Sequence, residues 1–252
     1  MANIAFILRS SILSSFAMIL YSKDFLLDGK IVYYQLKKGY RSGIEPIILA
    51  SNAKKKHNKI LDMGSGCGSI SLIVAYRNPE SEVIGFEKNE THHKISILNH
   101  KENNLKNLKF KVQDNCIFDK KYENYFDLIL SNPPFYFANK VLKSKNPSIM
   151  ASKYITESNL KKWIINIILY LKIKGTAFII NRFENMDFML DILRNFNLEV
   201  TTTPLLPFEG RKPKNALLKI TKSNYFIEKT SNAIIIHDNL SKYSKDIENW
   251  FK

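Results

Sequence analysis

The sequence predicts an α/β protein whose sheet is doubly wound and mostly parallel, with an antiparallel hairpin at one edge. Four short apolar runs alternate with helical stretches, and each run ends at a polar residue: Asp62, Glu87, Asp114 or Asn132. A glycine-rich turn follows the first run, and two strand-like segments flank a basic loop late in the chain. Alternating strands and helices are typical of a parallel sheet with helices on both faces.

The first segment, residues 1–21, is apolar and rich in serine, with Arg9 in its midst. The part after Arg9 is too short and too interrupted by serine to span a bilayer, and no A-x-A cleavage pattern follows. We expect residues 1–23 to be a short helix or a leader, and residues 24–252 to be a single domain. Residues 25–34 predict a hairpin with Asp28-Gly29 at its turn.

A basic loop over residues 35–43 precedes a predicted helix over residues 45–53. Pro46 lies in the first turn of that helix, where proline is tolerated. A basic, glycine-flexible loop before a helix N-terminus is suited to hold a carboxylate or a phosphate. An ordinary solvated loop is the alternative. The candidate residues of this loop are Lys37, Lys38, Gly39, Tyr40 and Arg41.

The segment that follows has the spacing Asp-x-Gly-x-Gly-x-Gly and is the most specific signal in the chain. A predicted strand ends at Asp62, three alternate glycines follow, and an apolar helix begins near Ile70. Glycines let backbone amides approach a ligand closely, whereas an acid at the strand end would repel a pyrophosphate and attract a cation. A ligand with an ammonium and a sulfonium group, but without phosphate, fits this pattern. The candidates are Asp62, Gly64, Ser65, Gly66 and Gly68.

Two more strand ends carry carboxylates at the same predicted sheet edge. The strand over residues 82–86 ends at Glu87, about twenty residues beyond the glycine turn, where a carboxylate can accept both hydroxyls of a ribose. The strand over residues 108–112 ends near Asp114-Asn115, where a carboxylate can accept from an adenine amine. Ligands of open parallel sheets bind along this edge.

The fourth strand ends in Ser-Asn132-Pro133-Pro134-Phe135. Neither proline can donate a ladder hydrogen bond, and a residue before proline is pushed out of the helical region. This open strand end offers the Asn132 amide oxygen and the Pro133 carbonyl as acceptors, with the Phe135 ring as a flat apolar platform. Two acceptors and a stacking face suit a planar amine such as the exocyclic nitrogen of adenine. A stiff loop followed by a core phenylalanine is the alternative.

The remaining elements complete the predicted sheet. We expect an amphipathic helix over residues 158–171 that ends at Lys174-Gly175, and a buried strand over residues 176–181. The later elements are a helix over residues 186–196, strands over residues 199–206 and 216–221 around a basic loop, a hairpin over residues 225–237, and a closing helix over residues 240–251. Candidate contacts to RNA phosphates are Arg211, Lys212 and Lys214 in the basic loop, together with Lys37 and Lys38.

Composition favours a polyanionic partner and a reducing compartment. The formal net charge is +15 and the pI about 9.6, and lysines are spread along the whole chain, which favours tRNA or rRNA over a membrane surface. An AT-rich genome is an alternative source of this basic excess. Cys67 and Cys116 lack disulfide or metal spacing, which favours the cytoplasm. The five histidines form no ligand pattern, so we expect no metal and no membrane partner.

These residues resemble the cofactor and catalytic motifs of class I S-adenosylmethionine-dependent methyltransferases that methylate amino groups. Residues 36–50 and 239–243 are similar to the bacterial tRNA adenine-N6 methyltransferases that modify the purine next to the anticodon of valine tRNA. The resemblance covers residues 24–252. It implies a Rossmann-like fold, an S-adenosyl-L-methionine cofactor and a tRNA substrate. It also implies that Lys88 and Asn115 contact the cofactor, together with the glycine-turn and strand-end residues.

Two positions depart from the family pattern. Lys153 stands near the place of an arginine that many members carry after the catalytic motif, and Glu45 stands where an aspartate is usual. Release-factor glutamine-N5 methylation uses the same Asn-Pro-Pro motif, but no helical substrate domain precedes Asp62. An rRNA base is an alternative substrate, and DNA methylation is disfavoured because no inserted target-reading domain is visible. A non-catalytic RNA-binding protein would not need Asp62, Glu87 and Asn132 together.

Overall fold

The computed structural model describes residues 21–37, 43–53, 57–137, 153–238, 242–245 and 247–248. Its strands are β1 (Tyr21–Leu26), β2 (Ile31–Leu36), β3 (Lys59–Met63), β4 (Glu82–Glu87), β5 (Leu108–Val112), β6 (Phe126–Ser131), β7 (Tyr136–Phe137), β8 (Tyr154–Ile155), β9 (Leu171–Arg182), β10 (Leu198–Leu206), β11 (Asn215–Lys222), β12 (Ile227–Thr230) and β13 (Ile234–Ile235). Its helices are α1 (Glu45–Ser51), α2 (Ser69–Arg77), α3 (Glu90–Asn103), α4 (Glu157–Tyr170) and α5 (Met186–Leu193).

The large sheet has the strand order β12-β10-β11-β9-β6-β3-β4-β5, with β13 also paired to β10. β3, β4, β5, β6 and β9 run parallel, whereas β11 is antiparallel to both β9 and β10. The predicted fold class is confirmed. Because β3 pairs with β4 on one side and with β6 on the other, the winding reverses between β3 and β6. Ligands of open α/β sheets bind in the crevice outside the carboxyl ends of such strands.

Helices cover both faces of the sheet, and an apolar core lies between the sheet and the helices on each face. One core is formed by α4 and α5 against the sheet, with Trp163, Ile167 and Met189 among its buried side chains. The other contains α1, α2, α3 and the β1–β2 hairpin, with Leu72 and Ile95 buried. Apolar runs buried on both faces explain why the parallel strands read as continuous hydrophobic segments.

The predicted N-terminal hairpin is confirmed, and two asparagines of α3 hold it against the domain. The backbone of Val32 exchanges hydrogen bonds with the Asn103 side chain, at 2.9 Å to Oδ1 and 2.8 Å from Nδ2. Tyr34 does the same with Asn99, at 2.7 and 2.9 Å. Asn99 Nδ2 also donates to the Cys67 carbonyl at 2.8 Å. The end of β2 is thereby positioned next to the glycine turn.

One sequence prediction is wrong at the end of α4. Lys174-Gly175 does not end the helix but lies inside β9, which begins directly after α4. In the pairing of β6 with β9, Leu171 lies opposite Phe126 and Thr176 lies opposite Leu128. The residues of β9 between these two positions therefore form a bulge-like irregularity. Lys174, which lies within it, has φ +64°. A Lys-Gly pair suits the end of a helix and a bulge equally, because both require a left-handed residue.

The hairpin predicted over residues 225–237 is also wrong. β12 and β13 do not pair with each other; both run parallel to β10, with Glu199 opposite Ile227 and Leu205 opposite Ile234. The Ser231 amide donates to the Thr202 carbonyl at 3.0 Å, which keeps the chain along the same edge. Without β12 and β13, the backbone groups along the outer side of β10 would be unpaired, and both segments pair with them. The alternation of apolar and polar residues in a short segment does not reveal which strand it pairs with.

Several predicted features lie outside the described residues. They are the segment 1–20, residues 38–42 of the basic loop, and half of the residues of the predicted closing helix. Within the described ranges, no helix has both the length and the apolarity needed to cross a membrane. The assignment of residues 24–252 to one domain stays a prediction.

Candidate active site

A cleft of about 470 Å³ opens at the carboxyl ends of β3, β4 and β6. The glycine turn and Glu87 form one wall, and residues 132–136 form another. The cleft thus lies at the crevice that the sheet topology specifies. Of the predicted site residues, those that line it are Gly64, Ser65, Gly66, Glu87, Lys88, Asn115, Asn132, Pro133, Pro134, Phe135 and Lys153.

The glycine turn is folded onto the end of β4. The amides of Gly64 and Ser65 both donate to the Phe86 carbonyl at 2.9 Å. Gly64 has φ +89°, and a Cβ placed there would lie 2.7 Å from the Trp163 ring. Glycine is therefore required at this position by both the backbone conformation and the packing. The sequence predicted the turn but not the tryptophan beneath it.

Glu87 ends β4 in the wall of the cleft and braces the glycine turn. Its Oε2 accepts from the Gly66 amide at 2.9 Å, and its Oε1 accepts from the Asn89 amide at 2.6 Å. Each carboxylate oxygen can accept a further hydrogen bond. Glu87 is thus a fixed acceptor facing the cleft, and its assignment to a ribose remains a prediction.

Asp62 does not line the cleft but lies buried beneath the glycine turn, with 1 % of its surface exposed. Its Oδ2 accepts from the Ser71 amide at 3.0 Å and from the Ser71 hydroxyl at 2.6 Å. Burial raises the pKa of Asp62 to about 7, and the nearby Glu87 charge adds to the rise. Asp62 therefore holds the first turn of α2, and its role toward a cofactor remains a prediction.

Asp114 lies beside the cleft rather than in its lining. Its Oδ1 accepts from the Cys116 amide at 2.9 Å, and its Oδ2 lies 3.8 Å from Lys88 Nζ. Asn115, the next residue, does line the cleft and is 2 % exposed. Its carbonyl accepts from Asn166 Nδ2 at 2.8 Å, which fixes this turn against α4.

The strand that precedes Asn132 is tied to the strand that precedes the glycine turn. Ser131 Oγ donates to the Met63 carbonyl at 2.7 Å and accepts from Trp163 Nε1 at 3.0 Å. All three side chains are buried. The ends of β3 and β6 are thus held together by one hydroxyl and one indole, and the Trp163 ring is fixed by the same contact.

Two buried asparagines that sequence reasoning missed hold the other side of the Asn-Pro-Pro-Phe motif. Asn185 Nδ2 donates to the Phe135 carbonyl at 2.9 Å and to Asn181 Oδ1 at 2.7 Å. Asn181 Nδ2 lies 3.5 Å from the Pro134 carbonyl. No sequence signal distinguishes these asparagines from others, because their partners are backbone carbonyls remote in sequence.

The rim of the cleft combines aromatic and basic side chains. The Tyr136 and Tyr154 rings lie 5.9 Å apart, and the Arg182 guanidinium lies 5.7 Å from the Tyr136 ring centre. Lys153 lines the cleft beside them. Lys37 is exposed just after the end of β2. The basic residues Arg211, Lys212 and Lys214 lie in the loop between β10 and β11, at the same sheet edge.

The cleft contains neither a reactive thiol nor a charged histidine near neutral pH. Burial raises the pKa of Cys67 to about 12 and that of Cys116 to about 11. Burial also lowers the pKa of His92, against the opposing effect of Glu87. The described residues contain no cluster of three or more His, Cys, Asp or Glu side chains that could hold a metal ion. Lys38, Gly39, Tyr40 and Arg41 lie outside the described residues.

Residues 46–191, more than half of the chain, match the model of the methyltransferase small domain family. This match, together with the sheet topology, places the protein in the class of S-adenosylmethionine-dependent methyltransferases. Within that class, the chain belongs to the methyltransferase small domain family. Its cofactor is S-adenosylmethionine.

The chain is similar to a tRNA1(Val) (adenine(37)-N6)-methyltransferase of Actinobacillus pleuropneumoniae, with 23 % identity over 79 % of this chain and 83 % of that protein. It is also similar to a release factor glutamine methyltransferase of Buchnera aphidicola, with 35 % identity over 51 % of this chain and 47 % of that protein. A solved structure of similar fold is that of Atu636, a predicted O-methyltransferase of Agrobacterium tumefaciens, with a TM-score of 0.66 and 16 % identity over 82 % of this chain and 95 % of that one.

The residues at the glycine end of the cleft fit S-adenosylmethionine. Two buried polar atoms in its wall, Ser65 Oγ and Asn115 Oδ1, have no hydrogen-bond partner among the described residues. Buried polar atoms without partners are costly and are rare unless a ligand satisfies them. Ser65, Asn115 and Glu87 would hold the cofactor, which when bound supplies an electrophilic sulfonium methyl group.

We predict that Asp62→Asn alters how stability depends on pH in the cofactor-free protein. Folding raises the pKa of the Asp62 carboxyl to about 7. The contribution of the protonated carboxyl to the free energy of unfolding is therefore complete below about pH 4 and is lost as pH rises through 7. The amide oxygen of the introduced asparagine can still accept from Ser71. The free energy of unfolding of Asp62→Asn, relative to that of wild type, should increase by about 2–3 kcal/mol between pH 5 and pH 8. Urea unfolding at both pH values measures it. An equal difference between variant and wild type at the two pH values would contradict the prediction.

We predict that Asn185→Ala loosens the Asn-Pro-Pro-Phe motif. The change removes a buried donor from the Phe135 carbonyl and should cost about 1–3 kcal/mol of stability. Because the motif then loses part of its fixed geometry, kcat should fall about 10- to 100-fold, while cofactor affinity by calorimetry stays unchanged. Asn195→Ala is the control, since Asn195 makes its amide contacts at the surface. Unchanged kcat with lowered stability would assign Asn185 a purely structural role.

Proposed function

We propose that this enzyme transfers a methyl group to the exocyclic N6 of an adenine in RNA, and that the first candidate is an adenine of a tRNA anticodon loop. The observation that carries the proposal is that Asn132, Pro133 and Phe135 line the same cleft as the glycine turn. An acceptor pair, a stacking ring and a cofactor wall are thereby brought within one cleft.

The chain's own residues do little chemistry beyond holding the amine. Asn132 Oδ1 and the Pro133 carbonyl accept the two N–H bonds of the amine, and this orients the nitrogen lone pair toward the interior of the cleft. Phe135 stacks on the base. The nitrogen gains the methyl group that the cofactor would supply, which would leave S-adenosylhomocysteine, and it loses one proton to solvent. The rate enhancement comes from orientation and electrostatics, and no general base is required.

The walls of the cleft support this mechanism. Ser131, Trp163 and Asn185 fix both ends of the motif through hydrogen bonds of 2.7–3.0 Å. Preorganised acceptors cost no rearrangement during the reaction. The neutral state favoured for the Cys67 and Cys116 thiols leaves the amine as the nucleophile in this cleft.

An RNA substrate is supported by charge and by similarity. The net charge of +15 suits a polyanion, and Lys153 and the loop residues Arg211, Lys212 and Lys214 lie at the same sheet edge as the cleft. The similarity to tRNA1(Val) (adenine(37)-N6)-methyltransferases extends over about four fifths of the chain. An unpaired loop base can enter a pocket at a lower unstacking cost than a paired one. A tRNA substrate would place the reaction in the cytoplasm.

Glutamine methylation of a release factor is the second candidate. Local identity to such enzymes is higher, at 35 %, but the match spans only about half of each protein. A glutamine side-chain amide also presents two N–H bonds, so the same acceptors would suit it. Basic side chains at the rim suit a polyanion, which favours RNA.

The test is transfer of tritium from labelled S-adenosylmethionine to bulk tRNA from a methylation-deficient strain, followed by nucleoside analysis. We expect label in N6-methyladenosine. Label in rRNA or in a release factor instead would replace the tRNA proposal with one of these alternatives. Cofactor binding without transfer to any of the three would overturn the proposed substrate class, and absence of cofactor binding would favour a non-catalytic RNA-binding role.

A further inference from the structure

Three aromatic rings pack against one another beside the basic loop between β10 and β11, and two of them are stacked. The Phe208 and His237 rings lie 5.5 Å apart at 35°, and the His237 and Tyr243 rings lie 5.1 Å apart at 19°. Tyr243 is 38 % exposed. We call these three residues the aromatic stack. It lies outside the cleft and has no part in the mechanism described above.

The aromatic stack lies on the same side of the sheet as the cleft, where the parallel strands have their carboxyl ends. Asn215, which follows the basic loop, is paired with Arg182 at the end of β9, and the Phe183 amide donates to the Lys214 carbonyl at 3.1 Å. Arg182 in turn lies over the ring of Tyr136, which lines the cleft. The basic loop beside the stack is thus joined through β11 and β9 to the residues at the rim of the cleft.

Backbone hydrogen bonds fix the stack in place. The His237 amide donates to the Pro207 carbonyl at 3.1 Å, which sets His237 beside Phe208. The Asp238 amide donates to the Lys242 carbonyl at 2.8 Å, directly before Tyr243. The rings are therefore presented by a preorganised surface, and binding to it would cost little ordering.

The charge next to the stack is mainly positive and open to solvent. Arg211, Lys212 and Lys214 form no ion pair within 4 Å with any residue in the described ranges, and Arg211 and Lys212 lie at the tip of the loop. Nearby acids are Glu209 and Asp238, and the Asp238 carboxylate accepts from the Lys242 amide at 2.9 Å. Basic side chains beside exposed rings are the combination that binds single-stranded nucleic acid.

We propose that the aromatic stack is a second RNA subsite, on which an unpaired base several nucleotides from the target stacks against Tyr243 while Arg211, Lys212 and Lys214 hold nearby phosphates. This inference rests on the proposed function. It assigns a nucleotide outside the target position to a surface outside the catalytic cleft. Stacking on aromatic rings tolerates any base, so this subsite contributes affinity and register, whereas Asn132 and Phe135 select the amine.

The test compares Tyr243→Ala and Tyr243→Phe in the full chain. Binding of fluorescent tRNA is measured by anisotropy, and cofactor binding by calorimetry. We expect Tyr243→Ala to weaken RNA binding roughly 5- to 100-fold, Tyr243→Phe to stay within about twofold of wild type because it retains the ring, and cofactor affinity to be unchanged in both. Tyr225→Ala is the control, since Tyr225 is 64 % exposed next to β12 at the opposite sheet edge.

Equal RNA affinity of wild type and Tyr243→Ala would overturn the subsite and leave the stack as packing of the C-terminal turn. Equal weakening by Tyr243→Phe and Tyr243→Ala would also overturn it, because the ring would then not matter. Binding requires no methyl transfer, so a failure of the proposed function appears separately, as tRNA that binds but gains no label.

Discussion

Asn132→Ala should reduce methyl transfer by at least about a thousandfold while cofactor affinity stays within about twofold of wild type. The substitution removes one of the two acceptors proposed to hold the amine and leaves the glycine turn, Glu87 and Asn115 in place. Loss of one preorganised electrostatic contact typically costs a hundred- to a thousandfold in kcat, and loss of the amine's orientation adds to this. The measurement is single-turnover methyl transfer at saturating cofactor.

Asn132→Asp sharpens the test because it retains an acceptor oxygen at the same place. We expect its activity to lie between those of wild type and Asn132→Ala. Asn224→Ala is the control, since Asn224 is an exposed asparagine between β11 and β12, away from the cleft. If Asn132→Ala kept more than about a tenth of wild-type activity, the Asn-Pro-Pro-Phe motif would be a structural turn rather than the grip on the substrate.

The parallel part of the sheet could be predicted closely because its signals are local. β3, β4 and β6 are largely buried apolar runs. β4 ends at Glu87 and β6 is followed by Asn132, and both of these polar side chains line the cleft. β5 was predicted at its exact bounds, and β3, β4 and β6 to within a residue or two at their carboxyl ends. The positions of Glu87 and Asn132 in one cleft followed from sheet topology alone.

What could not be predicted depends on partners remote in sequence. β12 and β13 join the edge of β10 rather than each other, and the hydrophobic pattern of a short strand does not specify its neighbour. Asn181 and Asn185 support the Asn-Pro-Pro-Phe motif through backbone carbonyls, which carry no sequence signature. Asp62 was expected to contact the ligand, but it is buried beneath the glycine turn, where Ser71 donates two hydrogen bonds to its Oδ2.

Gly64→Ala should strongly destabilise the protein. Gly64 has φ +89°, which costs a non-glycine residue about 1–2 kcal/mol, and the new methyl group would lie 2.7 Å from the Trp163 ring. That ring cannot retreat easily, because its Nε1 is bound to Ser131 Oγ at 3.0 Å. Overpacking adds about 1–3 kcal/mol, so we expect a loss of about 2–5 kcal/mol in urea unfolding, with loss of cofactor binding.

Substitutions at two other glycines separate the cost of the backbone conformation from the cost of the Trp163 contact in Gly64→Ala. Gly29 in the β1–β2 turn has the same φ of +89°, and a Cβ added there would have no atom within 4 Å, so Gly29→Ala measures the backbone cost alone, about 1–2 kcal/mol. Gly66 has φ +56°, equally open space, and a place in the cleft wall. Gly66→Ala should therefore cost little more stability than Gly29→Ala but should weaken cofactor binding, because its methyl group narrows the cleft.

Ranking these three variants by stability and by cofactor affinity tests why glycine occurs at positions 64 and 66 of the turn. If Gly64→Ala and Gly29→Ala cost the same stability, the Trp163 contact would not constrain the turn, and backbone conformation alone would account for the glycine at position 64. If Gly66→Ala bound cofactor as tightly as wild type, the turn would not approach the ligand closely at that residue. The expected result, a stability loss largest at Gly64 and a loss of affinity without unfolding at Gly66, would assign the first glycine to packing and the second to the cofactor.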